Sequence, residues 1–269
     1  MVENNQSNQV EMIEDVVTRK DIKRQLEAMG IQKGMLLLVQ GNALDLGYIS
    51  GGSQAMIDAI MDCVGYEGTI VMPSFTLDLV DPACMSKNHI DKESWEDVRE
   101  SSYPFNKKLS KPTDCDELVL QFMRNDGIVR SYHPNYSFLA WGKYAKVICD
   151  KHPLHFGLSK DSPLGKLYDL NAYVLLLGSE YKDCAIFNLA HYNSEKLPIR
   201  IVSAPIEKSK KTAWKDMLDL ELNNEGFNVV GEVMEERKIV RTTYLGLGKC
   251  RLFSAREAVK IATAYLNIN

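Results

Sequence analysis

KGMLLLV, residues 33–39, decides the fold. Leu36, Leu37, Leu38 and Val39 are apolar in succession. A strand turns successive side chains to opposite faces, so an unbroken apolar run belongs to a strand covered on both sides. Such strands lie in largely parallel sheets between layers of helices. Ahead of the run, TRKDIKRQLEAMGI (18–31) reads as a helix. Thr18 is its N-cap, Asp21 complements the positive end of its dipole, Ile22, Leu26 and Met29 have helical spacing, and Gly30 is the stop. Behind the run, QGNALDLGYISGG (40–52) is a glycine-bearing connection. SQAMIDAIMDCVG (53–65) is a helix with Met56, Ile57, Ile60, Met61 and Val64 on one face. TIVMP (69–73) repeats the buried-strand pattern, and YVLLLG (173–178) gives a third. Strand, helix, strand in this order predicts a covered, partly parallel sheet.

The remainder fits around that frame. Residues 78–114 are polar and irregular, with Pro82, Pro104 and a lone Trp95, and form an insertion between core elements. ELVLQFMRN (117–125) is helical and RSYHPNYSF (130–138) is a loop. DSPLGKLYDL (161–170) starts a helix, with Ser162 as N-cap and Pro163 in the first turn. IRIVSAPIE, FNVVGEVME and KIVRTTYLG, all beyond Lys196, alternate or nearly so and predict C-terminal antiparallel strands. SAREAVKIATAYL closes the chain as a helix with a Ser254–Glu257 capping box. The expected architecture is a single-domain α/β/α sandwich around a mixed, partly parallel sheet. Residues 1–17 are a flexible N-terminus and 18–269 the domain.

Composition narrows the functions. The 269 residues are 45% hydrophobic and 25% charged, the balance of a water-soluble domain. A net charge of −4 argues against a nucleic-acid binder, which needs a basic surface. No apolar run reaches membrane-spanning length, and the polar N-terminus lacks the apolar stretch of a secretory signal, so a cytoplasmic protein is expected. The six cysteines form no C-x-x-C pair, and neither a zinc site nor a disulfide framework is expected. Gly41, Gly47, Gly51 and Gly52 do not have the dinucleotide spacing. They make turns, or they present backbone N–H groups to a phosphate. His89 is solvated in the insertion, and His152 and His155, flanking Pro153, are structural rather than metal ligands. Arg130, Ser131, His133 and Ser137 gather donors in one loop, which is either internally hydrogen-bonded or a binding loop.

KGMLLLV, EGTIVMPSFT, VRSYHPNYSFLAWGKYAK, HPLHFGLSKDSPLGKLYDL, YVLLLGSEY and CRLFSAREAV occur in an order that resembles the aminoglycoside 3-N-acetyltransferase family, over residues 18–266. The resemblance implies acetyl-CoA bound beside a polycationic amino sugar, direct transfer without an acyl-enzyme, and no metal. An ammonium must lose a proton before it attacks a thioester, and an imidazole near neutral pKa suits that task. The family usually supplies base and partner as His-x-x-Glu after the third strand, where this chain has Asn188-x-x-His191. His191, with Asn188 or Asp183 nearby, is then a relocated base, and His133 is the other candidate. The family's His-Ser-Ser after the first strand is Gln40, Gly41 and Asn42 here, and its Gly-Met-Gly is Asp114, Cys115 and Asp116. Expected at the cofactor are Gly41, Asn42, Ser74, Thr76, Arg130, Ser131, Ser162, Lys166 and Arg251. A relative that has lost catalysis and binds CoA or an amino sugar is the alternative, as is an acetyltransferase with a changed amino-sugar substrate. The oligomeric state is left open.

Overall fold

The computed structural model describes residues 16–41, 46–85, 90–113, 117–194 and 196–268. Its centre is a seven-stranded sheet in the order β3-β4-β2-β1-β5-β9-β8. These strands are β1 (Leu36–Gly41), β2 (Thr69–Pro73), β3 (Val129–Arg130), β4 (Phe138–Gly142), β5 (Tyr173–Leu177), β8 (Arg241–Leu245) and β9 (Gly248–Ser254). β1 is parallel to β2 and to β5, and the flanking pairs are antiparallel. The sheet is therefore mixed with a parallel centre.

The four apolar residues of β1 divide between two cores. Leu36 and Leu38 enter one with Val71, Val174, Leu176 and Phe253. Leu37 and Val39 enter the other with Ile70, Met72, Leu175 and Leu177. The second core is closed by α1 (Arg19–Ala28), α2 (Gly52–Val64) and α4 (Glu117–Met123). The first is closed by α5 (Ala145–Cys149), α6 (Pro163–Asp169), α7 (Asn188–Ser194), α8 (Phe227–Glu236) and α9 (Ala255–Ile268). This is the expected α/β/α sandwich.

Local signals hold where they were specific. Thr18 and Asp21 make a reciprocal capping box on α1. Ser162 accepts the Leu164 N–H at 3.1 Å, with Pro163 in the first turn of α6. Val17, expected in the flexible terminus, is instead buried, and its N–H donates to the Tyr48 carbonyl. FNVVGEVME is a correction. It is α8, because Phe227, Val230, Gly231 and Met234 are its buried residues and they recur at helical spacing. Residues 1–15, His89, and Asp114, Cys115 and Asp116 lie outside the described residues.

β6 (Ile199–Lys208) and β7 (Lys211–Leu220) form a separate two-stranded arm. Described parts of the insertion pack along it. Asp81 N–H donates to Ser203 O and Phe105 N–H to Pro205 O. Arg99 grips the Asp81 carboxylate with Nε at 2.7 Å and Nη2 at 3.0 Å. Within the insertion lies α3 (Trp95–Ser101). Residues of the arm and of the insertion line one cleft with the ends of β1 and β2. No helix among the described residues is long and apolar enough to cross a membrane.

Candidate active site

The parallel strands β1, β2 and β5 all end at one edge of the sheet, the usual ligand position in open α/β folds. A cleft of about 1090 Å³ opens there. Gln40, Gly41, Pro73 and Ser179 line its floor from the strand ends and the residue after β5's exit turn. Asp78 and Cys84 reach it from the insertion, Arg200 and Val202 from the arm, and Asn188 from α7. Gly41 has φ of +140°, and a Cβ there would sit 2.0 Å from Leu177 O. Only glycine lets β1 and β5 approach this closely at the cleft edge.

Gln40 fixes the approach to α7. Its Nε2 donates to Asp183 O, and its Oε1 accepts the Ala185 N–H at 2.9 Å. The chain then turns through two 3-10 segments, Tyr181–Asp183 and Ala185–Phe187, into α7. Asn188 is 5% exposed. Its Nδ2 donates to Ala185 O at 3.1 Å, which sets the amide orientation, while Oδ1 has no partner among the described residues. His191 lies one turn on, 2% exposed, with its ring 5.0 Å from that of Phe227. Burial pushes its pKa down, opposed by the Asn223 carbonyl and the Asn224 side chain. Those two groups lie near the ring, yet neither ring nitrogen meets hydrogen-bond geometry with a described residue. His191 does not line the cleft; Asn188 and Asn224 do.

Two further asparagines share the pattern of Asn188. Asn135 donates from Nδ2 to Leu79 O at 2.9 Å and keeps Oδ1 without a partner. Asn224 Oδ1 is likewise unpartnered among the described residues. The unsatisfied amide atoms of this wall are therefore all acceptors. Carboxylates also line the cleft: Asp78, Glu117 and Asp183. Burial pushes the Asp183 carboxyl up, with Glu180 adding to this and Lys182 opposing it. The cleft's cations are Lys182, which is paired with Glu180 at 2.8 Å, and Arg200. Arg200 lies by Tyr136 and Asp219, and its Nε has no partner among the described residues. Burial and Asp219 push the Tyr136 hydroxyl up to about 12, so it stays protonated at neutral pH. No group of three metal-ligating side chains occurs among the described residues.

His133, the other candidate base, and most of the residues expected at the cofactor are engaged within the protein itself. His133 is 1% exposed. Its Nδ1 accepts the N–H groups of Asn135 at 3.1 Å and Tyr136 at 3.0 Å, and its Nε2 donates to Leu154 O at 3.3 Å, so the ring organises its own loop and has no nitrogen free to act as a base. Ser131 Oγ accepts the Phe138 N–H and meets His152 Nδ1 at 3.0 Å. Arg130 donates to Ser137 Oγ, Ser110 O and Ser74 O. Ser74 Oγ pairs with Ser137 Oγ at 3.1 Å, and Thr76 Oγ1 donates to Pro134 O. Ser162 caps α6, and Lys166 Nζ donates to Ile148 O and Asp150 O at the end of α5. Arg251 binds Glu235 at 3.0 Å and Ser179 O at 2.8 Å. Of these positions only Gly41 lines the cleft, and Asn42 lies outside the described residues. Sequence reasoning did not single out Asn135, Tyr136, Arg200 or Asn224. Each reaches the cleft only when elements distant in the chain arrive beside it, so no local pattern marks it.

The comparisons with known proteins converge on one class. The family model for aminoglycoside 3-N-acetyltransferases matches residues 38–267. The aminoglycoside N(3')-acetyltransferase-like protein YokD, derived from the SPbeta prophage of Bacillus subtilis (strain 168), is 40% identical over 246 residues, covering 91% of this chain and 90% of its own. The crystal structure of YokD matches with a TM-score of 0.90 at 39% identity, covering 94% of this chain and 100% of that one. Aminoglycoside N(3)-acetyltransferase VIII of Streptomyces fradiae is 28% identical over 273 residues, covering 93% of this chain and 92% of its own. The chain belongs to the aminoglycoside 3-N-acetyltransferase family.

Proposed function

We propose that this chain transfers an acetyl group from acetyl-CoA to an amino group of an aminoglycoside or related amino sugar, in the cleft at the ends of β1, β2 and β5. The observation that carries this is the make-up of the cleft lining: Asn188 of the Asn188-x-x-His191 pair contributes to it together with carboxylates and unsatisfied amide oxygens. An amino sugar offers ammonium charge to the first and N–H donors to the second. Pro73, Phe75, Val119 and Val202 supply the apolar surface that a pantetheine arm requires, and Arg200 supplies a cation for an anionic donor. When bound, acetyl-CoA supplies a thioester carbonyl as electrophile and a thiol as leaving group.

The chain's own residues then have three tasks. Asp183, Asp78 and Glu117 concentrate a cationic acceptor at the cleft by charge. Gln40 and Asn188 hold the wall against which the amine is placed. The ammonium proton must go to a base: His133 borders the lining through Asn135 and Tyr136 with its ring nitrogens already engaged, and His191, beside Asn224, is left for the task. Its lowered pKa keeps it neutral and ready to accept at pH 7.

The test is steady-state acetylation of a panel of aminoglycosides, followed by release of free CoA thiol. Turnover on at least one amine, lost in His191→Ala, is the expected result. No turnover on any amine would overturn transfer. One observation favours a second reading, a ligand-holding protein without catalysis: Asn188 cannot take a proton, and His191 is sealed from solvent. Titration calorimetry with CoA, giving binding in the absence of any turnover, would select that reading.

A further inference from the structure

The sealing of His191 has a local cause. Residues 221–226 run between β7 and α8 without helix or strand structure. The Asn223 carbonyl and the Asn224 side chain lie near the imidazole, and the ring of Phe227, which begins α8, lies tilted beside it with centroids 5.0 Å apart. Leu222 and Asn224 also line the cleft. The same short segment is thus the partition between ring and cleft.

Its own hold is slight. Glu221 N–H donates to Pro198 O at 3.0 Å, and Phe227 N–H to Asn224 O at 3.1 Å. Between them Glu225 N–H reaches Asn223 Oδ1 at 3.0 Å, within the segment itself. Glu221, Asn223 and Glu225 are exposed, while Leu220 and Phe227 at the two ends are buried. Leu222, Asn224 and Gly226 are half-buried between these exposed residues, and a segment exposed at alternate positions with few outward hydrogen bonds opens at low free-energy cost.

We propose that residues 221–226 are a gate over His191, and that Asn224 is a positioning residue which must leave the face of the ring before the imidazole meets the acceptor amine. This rests on His191 as the base of the transfer proposed above. In the open state one proton leaves the ammonium for a ring nitrogen of His191. On closure the Asn224 amide oxygen and the Asn223 carbonyl are acceptors suited to the imidazolium, so the gate also holds the protonated ring. The proton passes to solvent when the gate next opens. No bond to carbon changes in these steps.

Carbethoxylation by diethyl pyrocarbonate, read peptide by peptide in the intact chain, measures access to each ring. His155 is the internal reference, being exposed. His191 is expected to react at least about tenfold more slowly than His155, and Asn224→Ala to raise its rate about tenfold. Asn224→Gln is expected to restore protection. Should Asn224→Ala fail to fold, hydrogen exchange of the wild-type peptide spanning 221–226 decides, with faster exchange than β7 expected. Labelling of His191 as fast as His155, unchanged protection in Asn224→Ala, or exchange as slow as β7 would each overturn the gate. Full turnover in His191→Ala would instead overturn the base, an outcome distinct from the labelling contrast.

Discussion

Gln40 and Ala185 are 145 residues apart in the chain, and the side chain of one is hydrogen-bonded to the backbone of the other. The Gln40 Oε1 accepts the Ala185 N–H at 2.9 Å, while Nε2 donates to Asp183 O. The end of β1 is thereby stapled to the turn that leads into α7. Gln40→Ala leaves the Ala185 N–H and the Asp183 carbonyl without these partners, at a cost of about 1–3 kcal/mol. Gln40→Glu keeps the acceptor and removes the donor, and is expected to fall between. Because the staple sets α7 rather than touching the reacting atoms, kcat should drop with little change in the KM for acetyl-CoA. Urea unfolding together with steady-state kinetics checks both. An unaltered kcat in Gln40→Ala would mean that α7 is held elsewhere.

Two buried histidines make the fold sensitive to acid. His133 and His152 pack with tilted rings, centroids 4.7 Å apart. His152 Nε2 lies 2.6 Å from Gly157 O and donates to it, which leaves Nδ1 to accept from Ser131. Burial holds the His133 pKa down to about 3 and the His152 pKa to about 4, against 6.5 for an ordinary histidine. The sign follows from proton counts. Below pH 6.5 the unfolded chain binds protons at both rings, and the folded chain does not. The stability is therefore complete above pH 6.5 and is lost as pH falls through the range between 6.5 and about 3. Each ring contributes a slope of up to about 1.4 kcal/mol per pH unit there. Denaturant midpoints at pH 7.5 and pH 5 should differ accordingly, and His152→Asn should flatten the difference. A midpoint independent of pH over that interval would contradict the burial of the pair.

Lys166 shows why the scaffold was legible in the sequence and the site was not. DSPLGKLYDL announces a capped helix, and the helix is there, because capping and helical spacing are local physics. The same locality applies to the apolar runs of β1, β2 and β5. FNVVGEVME misled because a short apolar segment carries both periods, and only packing on the α9 side of the sheet selects the helix. The destination of a polar side chain is different, since it depends on which distant backbone arrives beside it. Lys166 Nζ was expected at an anionic cofactor, and it instead caps the carbonyls of Ile148 and Asp150. Lys166→Met should lower stability by about 1–2 kcal/mol through those unsatisfied carbonyls. The KM for acetyl-CoA should stay within about twofold. A large rise in that KM would return Lys166 to the cofactor.

Asp183 gives the sharpest test of how the acceptor is held. It lines the cleft next to the Gln40 staple, and burial already pushes its carboxyl up. An ammonium beside it favours the ionised form and draws the pKa back down, so acceptor binding and ionisation of Asp183 reinforce one another. Asp183→Asn keeps the shape, and the backbone carbonyl that Gln40 grips is untouched. The loss is then electrostatic. The KM for the aminoglycoside should rise about tenfold, with kcat nearly unchanged, because one charge-assisted contact is worth about 1.4 kcal/mol in a half-solvated cleft. The wild-type advantage should also shrink as salt is raised from 50 to 500 mM, since exposed charges are screened within about one Debye length. Calorimetric titration of the aminoglycoside into both proteins measures the same difference without turnover. Equal affinities at low salt would place the acceptor's ammonium away from Asp183, towards Asp78 or Glu117, which also line the cleft.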